Sequence, residues 1–234
     1  MTGFISMIII FLVIIYLQGL RVNIPISHAR FRGFRGSYPV NFFYVSNIPV
    51  ILASALFADV YFMSNLFSTR FPESFLTKIL GTVDVTTGTP VGGLIYFLTP
   101  PRSITAVLAD PIRAAVYTLL LVGICVVFSI TWVEVAGLSS RDVAKQLIDS
   151  GMQIPGFRRA ESSVKEILDR YIPTLTVLGG LAVGLIAAVA DFFNTFGTGI
   201  GILLTTGIMW QYYQLLMKER IEEMYPGLSR LLGK

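Results

Sequence analysis

Residues 114–133 read AAVYTLLLVGICVVFSITWV, an unbroken run without a single charged side chain. A helix rises about 1.5 Å per residue, so a run of this length covers the roughly 30 Å of a bilayer's hydrocarbon core. Four more runs of at least 19 residues also lack Asp, Glu, Lys and Arg: Thr2–Leu20, Gly36–Ala58, Ile172–Ala190 and Phe192–Met217. Lipid cannot hydrogen-bond a backbone, so a spanning segment must be a helix or a strand of a closed barrel. Barrel strands alternate apolar and polar residues, and these runs do not. The expected fold is therefore all-α: a polytopic helical membrane protein with five transmembrane helices, at about 2–20, 45–67, 114–135, 172–190 and 197–217.

Composition agrees. Hydrophobic residues make up 54% of the chain and charged residues 14%, against about 25% charged in soluble domains. The first run lacks the basic start and small-residue cleavage site of a signal peptide, so it reads as a retained span. The lone cysteine, Cys125, cannot form an internal disulfide and sits in an apolar run, where packing explains it.

The loops give the runs a direction. The connection 21–44 holds Arg21, Arg30, Arg32 and Arg35 and no acid; the connection 136–171 and the tail 218–234 hold ten more basic residues. Together these regions carry 14 of the 18 basic residues, whereas the connection 68–113 carries four. The positive-inside rule puts 21–44, 136–171 and the tail in the cytoplasm and 68–113 outside. Five spans then start the chain outside, which is explained most simply if other spans precede residue 1.

Local signals fill in the connections. The stretch 21–40 alternates apolar and polar residues around Gly33 and Gly36, the pattern of a projecting β-hairpin. The outer connection carries Gly and Pro turn signals with apolar patches, the pattern of short surface helices. Helical stretches are expected at Ser140–Ser150 and Glu161–Tyr171, with Ser140 and Ser162 as N-caps. Gly179, Gly180 and Gly184, then Gly197, Gly199, Gly201 and Gly207, are small enough to let membrane helices approach closely.

Few residues could carry chemistry. Asp59 lies inside the second run, where a carboxylate costs roughly 2.5–3.5 kcal/mol on insertion scales and must find a partner or water. It fits either a polar contact at a helix seam or substrate path, or a structural carboxylate nearer the outer interface. Asp191 ends the fourth run and reads as an interfacial cap. The pair Asp59 and Asp191 could also suggest an intramembrane aspartyl protease, but GTGIG (197–201) lacks the acid that such a site requires. Glu134 falls at a hydrated interface. The only histidine, His28, has no acid or cysteine nearby, no metal ligands are clustered, and no glycine-rich stretch has the lysine of a phosphate loop. No metal and no cofactor are expected. Arg30, Arg32 and Arg35, interleaved with Phe31, Phe34 and Tyr38, form a basic projection. On their own they fit topology signalling and anionic lipid better than docking to RNA or an acidic protein.

The strings YLQGLRVNIPI (16–26), RFRGFRGSYPV (30–40), FFYVSNIPVILASAL (42–56), ADPIRAAVY (109–117), GMQIPGFRRAE (151–161) and GTGIGILLT (197–205) resemble the SecY family, the large subunit of the Sec protein-conducting translocon, in its archaeal and eukaryotic branch. The resemblance covers essentially the whole chain and matches only the family's C-terminal half, spans six to ten. It implies a protein-conducting channel with a lateral gate, not an enzyme, in the cell membrane. Ile51 and Leu204 match positions of an apolar pore ring, which can seal against ions because a narrow apolar constriction dewets. The second span matches the mobile gate helix, with Asn47 and Asp59 as gate residues; relatives commonly carry asparagine at the position of Asp59. Arg30, Arg32 and Arg35, with Arg158 and Arg159 of the second loop, match the docking site for a ribosome or motor ATPase. The implied partners are the channel's N-terminal half, small subunits of SecE/gamma and beta type, signal sequences, nascent chains and membrane lipid. The alternative is half of a secondary transporter that binds a proton or cation at Asp59.

Overall fold

The computed structural model describes residues 2–28, 35–45, 47–71, 74–83, 89–149, 152–153, 161–195 and 198–224. The elements run α1 (Thr2–Gly19), β1 (Arg21–His28), β2 (Arg35–Asn41), α2 (Ile48–Arg70), α3 (Phe75–Leu80), α4 (Leu94–Leu98), α5 (Ile104–Ala109), α6 (Pro111–Val135), α7 (Ser140–Asp149), β3 (Met152–Gln153), α8 (Glu161–Phe192) and α9 (Gly199–Met224). Helices dominate, and a small antiparallel sheet of order β2-β1-β3 caps one end. The expected hairpin is β1–β2, in register from Arg21↔Asn41 to Ser27↔Arg35.

By length and composition α2, α6 and α8 can each cross a membrane. α1 is apolar but shorter. α9 starts apolar, then meets Gln211, Tyr212, Tyr213 and Gln214 and a charged last stretch, which dilute it. Side chains that face away from the bundle are apolar over long stretches: Phe4, Ile8 and Leu12 on α1, and Leu119 and Val127 on α6, are all exposed.

One boundary differs from expectation. The helix at Glu161–Tyr171 and the span at 172–190 are one 32-residue helix, α8, with Pro173 inside it. The proline leaves the Asp169 carbonyl without its helical partner. The helix continues because the buried stripe Val164, Leu168, Ile172, Leu175 keeps its spacing across that point and packs on one cluster with Val143, Ala144 and Leu147 of α7. A second difference is the cap of α7. Ser139, not Ser140, accepts from the Asp142 N–H, and its hydroxyl donates to the Asp142 carboxylate at 2.7 Å. Ser140 is buried in the first turn, and Ser162 lies within α8 rather than before it.

Two cores result. At the sheet end, α7 and the first part of α8 enclose Val133, Val143, Leu147, Val164 and Leu168. Beyond it, α1, α2, α6, α8 and α9 share Ile14, Val50, Leu121, Cys125, Val183, Ala187 and Leu203. Cys125 is fully buried there, in a packing position. Helices α6 and α8 approach closely. A Cβ on Gly184 would lie 2.9 Å from the Val122 Cα, so only glycine allows this spacing. Buried hydroxyls in this apolar setting bond within their own helix: Ser129 to the Cys125 carbonyl (2.7 Å), Thr176 to Ile172 (2.8 Å) and Thr206 to Ile202 (2.7 Å). An unpaired hydroxyl in apolar surroundings would be costly.

Candidate functional site

The site is built where α2 begins. Pro49 sits in the first turn of α2, where its missing N–H costs nothing and its fixed φ suits a helix start. Asn47 is the residue before the helix, yet its side chain makes no capping bond. Its Nδ2 instead donates to the Leu203 carbonyl of α9 at 2.7 Å. Ile51 stands one turn further along α2 on the Asn47 side, and Leu204 is the neighbour of Leu203. Both are half-buried, whereas Leu203 and Val50 are fully buried in the core. The structure thus joins Asn47 to α9 at Leu203, with Ile51 one turn from Asn47 along α2 and Leu204 next to Leu203 along α9.

Asp59 lies elsewhere. It is two turns beyond Ile51 on α2, about 12 Å along the axis, and its side chain is exposed. Asp191, at the far end of α8, has both oxygens engaged. Oδ2 accepts from the Tyr117 hydroxyl of α6 at 2.9 Å, and Oδ1 accepts from the Gly199 N–H at 3.0 Å. An acid at the first N–H of a helix is favourable both as an acceptor and as a charge. The expected cap is what the structure contains, and it ties α6, α8 and α9 together. Both Asp191 oxygens are thus used in holding helices together. Nearby, Arg113 donates to the Tyr96 carbonyl at 2.9 Å and lies over the Tyr96 ring, while the Tyr96 hydroxyl donates to Asp110 at 2.8 Å. These contacts anchor the start of α6 to the short helices beside it.

At the opposite end, Arg35 opens β2. Arg30, Arg32, Arg158 and Arg159 lie outside the described residues. The backbone nevertheless links the two loops that carry them, because β3 of the second loop pairs with β1 of the first, Ser27↔Gln153 and His28↔Met152. The sequence treated these loops as separate.

Sequence reasoning also missed Gln18 and Tyr117, and it read Gly207 only as one of the small residues that let helices approach. Gln18 offered a signal, since it is a carboxamide inside an otherwise apolar run. Tyr117 offered none, because an aromatic in an apolar helix has no preferred partner in sequence. Among the described residues no group of histidine, cysteine and acid side chains could hold a metal.

Comparison with known proteins bears on this arrangement. The SecY family profile matches residues 1–213. The protein translocase subunit SecY of Pyrococcus furiosus is 43% identical over 235 residues, an alignment that takes in all of this chain and 48% of that protein. Among solved structures, a protein-conducting channel superimposes with a TM-score of 0.76 at 40% identity, covering 95% of this chain and 50% of that one. Sec61 in the canine ribosome–channel complex from the endoplasmic reticulum gives 0.71 at 37% identity, again covering 95% of this chain and half of the other. The chain spans about half the length of the relatives it matches.

Proposed function

This chain belongs to the SecY family, and from that premise we propose that it forms one half of a protein-conducting channel that passes secretory polypeptides across a membrane and releases apolar segments sideways into lipid. The observation that carries this reading is the junction at Asn47 and Leu203, where the start of α2 is fastened to α9 beside two half-buried aliphatic side chains. Ile51 and Leu204 contribute to an apolar ring that seals against ions yet yields to a peptide, since dispersion contacts need no fixed partner. α2 is the moving gate helix, with Asn47 and Asp59 along it. The exposed Asp59 carboxylate, on a helix apolar enough to span, finds its partner or water in the rest of the channel.

The same reading counts α1 and α9 as spans, five in all, with the N-terminus outside and the tail in the cytoplasm of a cell membrane. The channel is completed by an N-terminal half and by small subunits of SecE/gamma and beta type. The sheet that joins the two basic loops supports a single docking face, where Arg30, Arg32, Arg35, Arg158 and Arg159 meet a ribosome or motor ATPase. Such a face binds through phosphate or acidic groups, so its affinity falls with salt. The channel performs no catalysis, and its energy comes from that partner.

The test is reconstitution of this chain with its complementary half in vesicles, together with a signal-bearing precursor and its driving partner. The expected result is precursor protected from external protease. Proton-coupled solute uptake that disappears in Asp59→Asn, with no precursor protected, would overturn the reading.

A further inference from the structure

At the sheet end of the α6–α8 seam a cavity of about 440 Å³ lies between the end of α6, the start of α7 and the first half of α8. Glu134, Arg141, Lys165 and Asp169 border it, together with the aliphatic Ile130 and Val177. Its depth follows from the sequence. Glu134 directly follows the charge-free run 114–133, and Pro173, also on the cavity wall, lies at the start of the run 172–190. The cavity therefore sits where both helices leave the hydrocarbon, with charges toward water and aliphatic side chains toward lipid.

The aliphatic side extends beyond the cavity. On α8 Lys165, Asp169, Pro173, Val177, Leu181 and Leu185 follow one another at four-residue spacing, all exposed, which sets them in one ridge along the helix. On α6 Thr118, Val122, Val126, Ile130 and Glu134 form a ridge of the same kind. The approaches of Gly180 to Ser129 and Gly184 to Val122, with the bond of Tyr117 to Asp191, show that the two helices run antiparallel. The charged ends of the ridges therefore coincide. Further along the same seam lies a groove of about 510 Å³, walled by Leu119 and Val122 of α6 and by Leu181 and Leu185 of α8. From Pro173 to Leu185 the ridge covers about 18 Å, against roughly 15 Å for the hydrocarbon of one leaflet.

The charges select the occupant. Two cations and two carboxylates border the cavity, so a wholly anionic headgroup would meet two like charges. A headgroup that carries both a phosphate and an ammonium group offers each of the four a partner. Arg141 and Lys165 suit the phosphate, and Arg141 stands in the first turn of α7, whose positive end also favours an anion. Glu134 and Asp169 suit the ammonium group. The Asp169 carbonyl, freed from the helix ladder by Pro173, is a further acceptor beside them. Within α8 Lys165 precedes Asp169, the less favourable order for a pair at this spacing, so the two gain little from each other.

We propose that the α6–α8 seam binds one aminophospholipid, with its headgroup in the charged cavity and an acyl chain in the groove between the two ridges. The proposal rests on α6 and α8 crossing a membrane and not on translocation.

The test uses the complete channel, this chain with its other half and small subunits, in detergent, with native mass spectrometry to count retained lipid. One phosphatidylethanolamine should be held roughly tenfold more tightly than phosphatidylglycerol, the size of one charged hydrogen bond. Lys165→Gln, at an exposed position that does not disturb the fold, should weaken retention of both lipids. Asp169→Asn should weaken phosphatidylethanolamine and tighten phosphatidylglycerol, which a merely structural role would not do. Leu181→Trp, which fills the groove, should release the lipid without lowering the melting temperature. Equal retention of the two lipids, or unchanged retention in Lys165→Gln, would mean unselective lipid coating and overturn the site. Displacement of the lipid by soluble phosphoethanolamine would remove the groove from the site and overturn the proposal as well. A complete channel that holds no phosphatidylethanolamine would show the cavity closed by its own charges or by another subunit, and would overturn it too. Selective retention by a channel that moves no precursor would still support the site, while removing the channel reading.

Discussion

Where α8 packs on α6, Gly184 brings the two backbones to within touching distance. Asp191 then ties the far end of that pair to α9 through the Tyr117 hydroxyl and the Gly199 N–H. Where α2 meets α9, a side-chain bond from Asn47 spans the gap, and the buried amide oxygen of Gln18 on α1 has no partner among the described residues. The first seam is close-packed and its polar groups are satisfied; the second is sparse. Within a membrane, helices are held by packing and hydrogen bonds rather than by expulsion of water. On the proposed reading the satisfied seam is the fixed wall of the channel and the sparse one is where it opens.

Substitutions that break each seam should rank accordingly. The largest effect belongs to Gly184→Leu. Its side chain would enter a space closed by Val122, and overpacking of this kind should cost about 3 kcal/mol, seen as loss of the monodisperse species on size exclusion in detergent. Asp191→Ala removes the acceptor for two donors and should cost about 2 kcal/mol in thermal unfolding, while Asp191→Asn retains one acceptor and should cost less. Equal losses for Ala and Asn would mean that the carboxylate's charge, not its two bonds, holds the seam. The smallest effect belongs to Asn47→Leu. It removes one bond and leaves the Leu203 carbonyl within its helix, so about 1 kcal/mol of stability is expected. A loss as large as that of Gly184→Leu would erase the contrast between the two seams.

Much of the fixed seam was legible in sequence. Long charge-free runs imply helices because lipid leaves the backbone no alternative, and small residues in those runs implied close helix contacts. Asp191 at the end of a run read as a cap for the same electrostatic reason that it caps Gly199. The hairpin at 21–41 was legible from its alternation. What escaped depended on tertiary geometry. Ser139 and Ser140 are adjacent and chemically identical, so only the backbone entering α7 decides which one caps. Nothing in 161–175 shows that one helix will continue through Pro173, because the deciding feature is the α7 surface against which Val164, Leu168 and Ile172 pack. The pairing of β3 with β1 rests on two residues, too few for any pattern. At the sparse seam the family resemblance pointed to Asn47, Ile51 and Leu204, but neither Leu203 as the acceptor nor Gln18 as its neighbour can be read from spacing along separate helices.

The central claim is that the α2–α9 junction faces the path of a translocating chain. A photoreactive crosslinker placed in turn at Ile51, Leu204 and the outward-facing Leu119 of the complete channel, with a precursor arrested midway, tests it directly. Adducts to the precursor from Ile51 and Leu204, and none from Leu119, are the predicted result. Adducts from Leu119 alone, or lipid adducts from all three positions, would contradict it.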